Sequence, residues 1–556
     1  MTESFEGADR RAVLAGAAAL ALSAGAAKAL TLPKLPKVTM PTLPQMPVFD
    51  GGGPGPVGET VYGAVKGTFE DGINVFKGIP YGAPTGGADR FMPPEPPPRW
   101  GGTRPTQKYG DQCPQVGAKL PTAWSSWRVD TGESEDCLVL NVWTPGLADG
   151  KKRPVMVWLH GGGFSDLSGS SLAFDGVRLC QRGDVVVVTL NHRLNMFGYL
   201  YLAQLGGPQY AASGNVGQLD LVFALQWVRD NIANFGGDPG RVTIFGESGG
   251  GGKVSTLLAM PDAVGLFHRA AIQSGPGLVA IHPDAATETA RAICKAVGVS
   301  ENHPSDLNSV EVPRLVDALD KVTKAGHRFG PVMDGRYLPR DPFSPDAPGV
   351  SANVPVIVGS NATETTILGA KPADFSLDFN SLKGALATAL PAGVDADKLI
   401  ANFRRLRPDA SASDLYFLIT TDRGMGAGTI ALAERKAALG PAPAYVYRLE
   451  FQTPVDNLRS PHALDIPLVF DNVGKSASLL GPVAADAQKV ADQMAPAWIA
   501  FAHTGSPNAT GLPSWPRYDA RSRSTMIFNV ISRAVNDPYA EERAIIARLP
   551  AGRAGV

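Results

Sequence analysis

Five short apolar runs set the architecture of this chain: PVMVWL at 154–159, VVVVTL at 185–190, VTIF at 242–245, VPVIV at 354–358 and AYVYRLEF at 444–451. Neighbouring residues of a strand face opposite sides of a sheet, so a run that is apolar at consecutive positions is covered on both sides. Several of these runs lack alternation in that way, and helical stretches separate them. At 219–234 (LDLVFALQWVRDNIAN) and at 491–503 apolar residues recur at spacings of three and four, as on a helix with one buried face. Strand and helix in alternation predict a mostly parallel α/β sheet flanked by helices. Ligands of such sheets bind beyond the carboxyl ends of the strands, so the loops that follow the runs are where a site is expected.

The 556 residues would fill several domains of about 150 residues, yet large α/β folds spend such a length on one. From Gly58 onward no compositional break, repeat or low-complexity segment interrupts the chain, so 58–556 reads as a single domain. With 44% apolar and 19% charged residues the chain buries a large core rather than remaining disordered. Its 51 Lys+Arg against 52 Asp+Glu exclude a strongly basic nucleic-acid binder. Residues 1–29 read as a twin-arginine export signal: Arg10 and Arg11, a weakly apolar run at 12–27, and the cleavage pattern Ala27-Lys28-Ala29. A proline-rich linker is expected at 30–57, followed by a periplasmic or secreted enzyme-sized domain. No later stretch reaches ~18 uninterrupted apolar residues, so no stable membrane insertion is expected once the signal is removed.

Chemistry enters at Gly246-Glu247-Ser248-Gly249-Gly250, the one G-x-S-x-G match in the chain. The match alone is a weak signal, but it follows VTIF and precedes a helix-prone segment at about 253–260. Strand, sharp turn, helix is the arrangement that exposes a serine hydroxyl as a nucleophile. No G-K-[ST] follows at P-loop spacing, which argues against a phosphate cradle. Upstream, His160-Gly161-Gly162-Gly163-Phe164 directly follows PVMVWL. Bare backbone there lets the N–H groups of Gly162 and Gly163 converge with that of Gly249 on a developing oxyanion. His160 reads as a residue that orients this loop rather than as a base.

A serine nucleophile needs a histidine and an acid, which follow it in this order of chain elements. Of the eight histidines, His462 and His503 lie after the last strand-like runs. His503 sits near the end of a helical stretch, where capping or a surface role suits it, and His462 lies in a loop after AYVYRLEF, so His462 is the preferred base. For the acid, Glu364 in the loop after VPVIV competes with Asp334, whose Asp-Gly context reads first as a turn.

With these motifs in order, the chain resembles the type-B carboxylesterases, which include acetylcholinesterases, mammalian liver carboxylesterases and bacterial para-nitrobenzyl esterases. The resemblance spans about 57–518. It is carried by FKGIPY at 76–81, Arg90-Phe91, SEDCLVLNV at 134–142, the HGGGF loop, Asn191 to Arg193 with Phe197-Gly198, Gly214-Asn215, NIANFGGDP at 231–239, GESGG, PVMDG at 331–335 and GSPN at 505–508. It implies an α/β-hydrolase fold with large loop and helical insertions, and a serine hydrolase of small to medium carboxylic esters working through an acyl-enzyme. Ser248, Glu364 and His462 are then the triad, with no cofactor and no metal. It also implies a disulfide between Cys113 and Cys137 and an ion pair between Arg90 and Glu135. Two departures stand out: Gly249 where the family usually has alanine, and Thr365 where glycine often follows the acid. Trp124 and Trp127, in a loop that by resemblance borders the site, are a substrate wall or packing anchors, with Phe164 a further wall residue. Cys180 and Cys294 read as buried free thiols. Two alternatives remain: an inert binding protein on the same fold, and a lipase acting on longer-chain lipids.

Overall fold

The structure, a computed structural model, describes residues 46–50, 53–117, 121–482 and 484–550. The segment read as an export signal, 1–29, and the linker up to residue 45 lie outside the described residues. Early strands are β1 (Val48–Asp50), β2 (Val57–Thr60), β3 (Gly63–Lys66), β4 (Thr68–Glu70), β5 (Ile73–Pro80), β6 (Gly101–Pro105) and β7 (Val139–Thr144). They are followed by β8 (Arg153–Leu159), β9 (Val186–Leu190), β10 (Gly237–Glu247) and β11 (Arg269–Gln273). The last are β12 (Val356–Asn361), β13 (Ala444–Leu449), β14 (Thr525–Phe528) and β15 (Arg533–Val535).

Eleven of them form one sheet in the order β4-β5-β7-β9-β8-β10-β11-β12-β13-β14-β15. From β9 to β14 every neighbouring pair is parallel, and antiparallel strands finish both edges. All five apolar runs fall on the parallel strands, and every residue of β8 and of β9 is buried. The pleat explains why. Val155, Val157 and Leu159 of β8 belong to one hydrophobic core, whereas Met156 and Trp158 belong to a second core on the other face. Trp158 is fully buried and its ring packs at 4.9–5.0 Å from Phe174, Phe245 and Phe470.

The expected helices run from Val216 to Asn231, starting three residues earlier than the apolar stripe suggested, and from Ala485 to Thr504, longer at both ends. A helical insertion after β12 carries its own small core, built from the helices Phe379–Ala389, Ala396–Leu406 and Ala412–Thr421 with Ile546. Asp378, Asp395 and Ser411 cap those helices by accepting from backbone N–H groups of their first turns. Among the described residues of the expected linker, 30–57, Val48–Asp50 form a strand instead. β1 pairs in parallel with β6, with Val48 opposite Gly101, in a four-stranded sheet ordered β1-β6-β3-β2. Prolines thin out at Val48-Phe49-Asp50, and that short run supplies the donors and acceptors an edge strand needs, with Phe49 packed against the main core.

Candidate active site

The loops after β8, β10, β12 and β13 meet beyond the carboxyl end of the sheet. β10 ends at Glu247 and the helix Gly249–Leu257 starts two residues later, so Ser248 alone makes the turn. Its backbone is left-handed, φ 59° and ψ −126°, a costly state for a residue with a side chain. The flanking glycines are required by contact. A Cβ on Gly250 would lie 2.0 Å from the Leu159 carbonyl oxygen, and one on Gly246 would lie 2.6 Å from it. The strain turns Ser248 toward a cavity of about 990 Å³ that it lines together with Gly161, Gly162, Gly163, Trp124 and His462.

Glu364 and His462 come together by strand adjacency. β12 and β13 are parallel neighbours, and the loops that leave them are stapled: Asn361 Nδ2 donates to Pro461 O at 2.7 Å and the Ser460 N–H to Thr363 Oγ1 at 2.9 Å. Glu364 is fully buried, accepting the Asn361 N–H at 2.7 Å and the Nδ1–H of His462 at 2.6 Å. That bond leaves Nε2 as the nitrogen available to Ser248, which lines the same cavity as His462. In this structure Nε2 lies 3.2 Å from Glu247 Oε1, and Ser248 Oγ has no hydrogen-bond partner among the described residues. Asp334, the rival acid, instead closes a turn by accepting the N–H groups of Arg336, Tyr337 and Leu338. His503 donates from Nε2–H to Gly183 O at 2.9 Å, away from the cavity. Thr365 does not need to be glycine, since its φ is not positive; its hydroxyl meets Thr420 Oγ1 at 2.7 Å.

Glu247, the variable residue of the nucleophile motif, was not singled out by sequence. It is buried beside the base, as is Asp465, which accepts from Tyr447 at 2.6 Å and Gln273 at 3.0 Å. Burial pushes the Glu247 carboxyl well above the usual carboxylate range. Burial works against charge on His462 too, yet the carboxylates of Glu247, Glu364 and Asp465 outweigh it and raise the imidazole to about 9. A proton kept on Nε2 by the raised imidazole blocks its use as a base, so the base is freed only as pH rises. Position x of G-x-S-x-G was the available signal, because the strand that carries Ser248 also aims its preceding residue inward.

Gly162 and Gly163 have φ of 79° and 59°, and their N–H groups have no acceptor among the described residues. The loop presses on the nucleophile turn: a Cβ on Gly249 would lie 2.1 Å from Gly163 O and 2.4 Å from its Cα. Of the aromatic candidates, Trp124 borders the cavity, its ring 6.5 Å from that of His462 and stacked on Trp127 at 6.1 Å. Trp127 also lines the cavity but is anchored, with Nε1 donating to Ser476 Oγ at 2.8 Å. Phe164 departs from expectation. It is buried behind the glycine loop against Tyr199, because the left-handed pair Gly162-Gly163 turns the chain away from the cavity.

Arg90 and Glu135 form the expected ion pair, bidentate at 2.6 and 2.7 Å, with Arg90 also donating to Leu307 O and Val310 O. The disulfide implied by resemblance is absent here. Cys113 and Cys137 are free, buried thiols in hydrogen-bonding contact, which together with burial pushes the Cys137 thiol up. Cys113 Sγ donates to Pro114 O at 3.6 Å and accepts the Leu194 N–H at 3.3 Å. Cys180 and Cys294 are buried free thiols as expected. Among the described residues no group of three or more His, Cys, Asp or Glu is placed to hold a metal ion.

Comparison with known proteins accords with this geometry. The sequence profile of the carboxylesterase family matches residues 54–545. The para-nitrobenzyl esterase of Bacillus subtilis (strain 168) is 35% identical over 493 residues, 87% of this chain and 97% of that protein. The fumonisin B1 esterase of Sphingopyxis macrogoltabida is 33% identical over 487 residues, covering 84% and 85%. A solved Geobacillus stearothermophilus carboxylesterase superposes with a TM-score of 0.77 at 36% identity, over 88% of this chain and 99% of that one. A parallel sheet of this order, a serine on a strained turn at its carboxyl end and this breadth of similarity place the chain in the carboxylesterase family, as an α/β-hydrolase-fold enzyme that hydrolyses carboxylic esters.

Proposed function

We propose that the chain is a serine esterase of small to medium esters, with Ser248 as nucleophile, His462 as base and Glu364 as the acid that holds the base. Ser248 Oγ attacks the ester carbonyl carbon while Nε2 takes its proton. The carbonyl oxygen becomes an oxyanion held by the N–H groups of Gly162, Gly163 and Gly249. The C–O bond to the alcohol then breaks, with Nε2 returning the proton to the leaving oxygen. Water attacks the acyl-enzyme by the same route and frees the carboxylate. One observation carries this reading: a serine in a strained backbone state beside a buried Glu–His pair and two glycine N–H groups without acceptors.

The test is turnover of short para-nitrophenyl esters, with mass spectrometry of an acylated or phosphonylated peptide. Ser248→Ala is expected to lose turnover and labelling while keeping its circular dichroism. Retained turnover refutes the assignment. Trp124, flat and adjacent to His462, is proposed as the wall that receives an apolar group of the ester. The relatives named for para-nitrobenzyl esters and for fumonisin B1 suggest a panel running from aromatic alcohols to bulky polyol esters. Emulsified long-chain triglyceride separates this reading from a lipase. An inert binding protein would lack turnover on the whole panel.

Export by the twin-arginine route belongs to the same proposal, with Arg10-Arg11 and Ala27-Lys28-Ala29 as its support. Folding then precedes export, and the touching thiols of Cys113 and Cys137 close into a bridge outside the cytosol, passing two electrons and two protons to a thiol oxidant there. Replacement of Arg10 and Arg11 by Lys is expected to leave active, reduced enzyme inside the cell. Unchanged export, or an exported enzyme with both thiols free, contradicts this.

A further inference from the structure

Lys253 is an odd residue for its place. It sits in the helix that starts after Ser248, it is fully buried, and it makes no ion pair among the described residues. A desolvated ammonium of this kind costs stability unless its surroundings answer it. The answer here is the back of the glycine loop. Lys253 Nζ donates to His160 O at 2.8 Å and to Gly161 O at 3.4 Å, and lies 5.9 Å from the centre of the Phe164 ring. His160 Nδ1–H reaches the same Gly161 oxygen at 2.9 Å.

Peptide units are planar and trans, so a carbonyl oxygen and the following N–H point in opposite directions. Holding Gly161 O toward the helix therefore turns the Gly162 N–H toward the cavity, on the side of Ser248. Gly161 itself lies close to that residue, since a Cβ built on it would be 3.4 Å from Ser248 Cβ. The N–H donors of Lys253 also polarise the peptide they grip, which strengthens its N–H as a donor. Two glycines in left-handed backbone have no side chains to fix them, and the lysine supplies that constraint from behind.

We propose that Lys253 is a positioning residue of the oxyanion site: by gripping the carbonyl oxygens of His160 and Gly161 it aims the Gly162 N–H at the carbonyl oxygen of the substrate. This rests on the reading of Ser248 and the glycine loop given above. Asp166 is the acidic group that acts on Lys253 from the loop side, and burial leaves the amine near pH 7.

The experiment compares wild type with Lys253→Met, which keeps the length of the side chain and removes the donors. Steady-state rates on para-nitrophenyl butyrate are paired with two inhibitors of the same shape. One is a trifluoromethyl ketone, which forms a tetrahedral oxyanion adduct on the serine, and the other is the unreactive amide. Loss of one aimed donor is expected to lower kcat about a hundredfold, with KM and amide affinity within threefold. Trifluoromethyl ketone affinity is expected to fall in parallel with kcat. An unchanged kcat, or equal losses for ketone and amide, overturns the proposal. If Lys253→Met does not fold, Lys253→Gln, which puts a shorter neutral amide in place of the amine, is put through the same comparison. If neither folds, the role is structural and the proposal fails. Ser248→Ala is assayed alongside, so retained turnover there brings down the nucleophile assignment itself, whatever Lys253 does.

Discussion

Glu364→Gln puts the acid–base geometry to its sharpest test. The carboxylate accepts two hydrogen bonds, from the Asn361 N–H at 2.7 Å and from His462 Nδ1–H at 2.6 Å, and it is fully buried. A glutamine of the same shape has one oxygen and one NH₂ for those two donors. If its oxygen stays with Asn361, its NH₂ faces Nδ1, the imidazole moves its proton to Nε2, and the nitrogen available to Ser248 no longer accepts. If the amide flips, NH₂ opposes the Asn361 N–H, leaving a buried donor unsatisfied at about 1–3 kcal/mol. The first arrangement is the cheaper, so most molecules hold the wrong tautomer. Loss of the tautomer in a comparable triad costs about 10⁴ in kcat, or about 5 kcal/mol of transition-state stabilisation. We expect kcat on para-nitrophenyl butyrate to fall by about 10³–10⁴ with KM little changed. Removing this anion also removes one of the causes that raise His462, so the acid limb of the residual activity is expected at lower pH. A loss below tenfold, or one expressed in KM alone, refutes the assignment of Glu364 as the partner of the base.

Four further outcomes follow from the site and the core beneath it. In wild type the acid limb of kcat/KM is expected above about pH 6.5, the ordinary histidine value, because activity is lost as pH falls through the raised value of the base. Glu247→Gln removes the foremost carboxylate raising it and is expected to shift that limb to lower pH; a limb that stays in place shows that Glu247 does not raise the base. Gly249→Ala puts a methyl group where the Gly163 backbone now lies, forcing the glycine loop back by about 1 Å, and kcat is expected to drop about a hundredfold; wild-type kcat in this variant would show that the loop has room to spare. Trp158→Ala opens a large hole between β8 and its aromatic neighbours and is expected to cost about 3–5 kcal/mol in urea unfolding, with a loss under 1 kcal/mol arguing against a tightly packed second core.

How far the sequence reads correlates with how local the determining physics is. Burial on both faces is written directly into VVVVTL and PVMVWL, and both are central strands. β11 (RAAIQ) has small residues and a charge at its start, so nothing in its own composition marks it; its place comes from pairing between β10 and β12. Ser248 was legible because its turn needs glycines at fixed offsets. The acid was not settled by spacing, since Glu364 and Asp334 are both loop carboxylates and only the pairing of β12 with β13 sets Glu364 against His462. Phe164 was misplaced for a related reason, as adjacency to Gly163 says nothing about which way a left-handed turn sends the next residue. Lys253 gives no periodic signal at all, for a buried lysine and an exposed one look alike in a sequence.

The stapled loops after β12 and β13 have a consequence for how this scaffold tolerates change. Glu364 and His462 are almost a hundred positions apart, and the capped helices of the insertion fill much of that interval. The distance between the two side chains nevertheless depends on the lateral spacing of two adjacent strands and on a few hydrogen bonds close to their ends. The intervening helices have their own small core. Chain length in that interval therefore reaches the proton-transfer geometry through the helix Ala412–Thr421, which meets Thr365 by Thr420 and Arg459 by Asp414. The helices Phe379–Ala389 and Ala396–Leu406 are the part of the enzyme that can be lengthened or exchanged while the acid and the base keep their mutual reach.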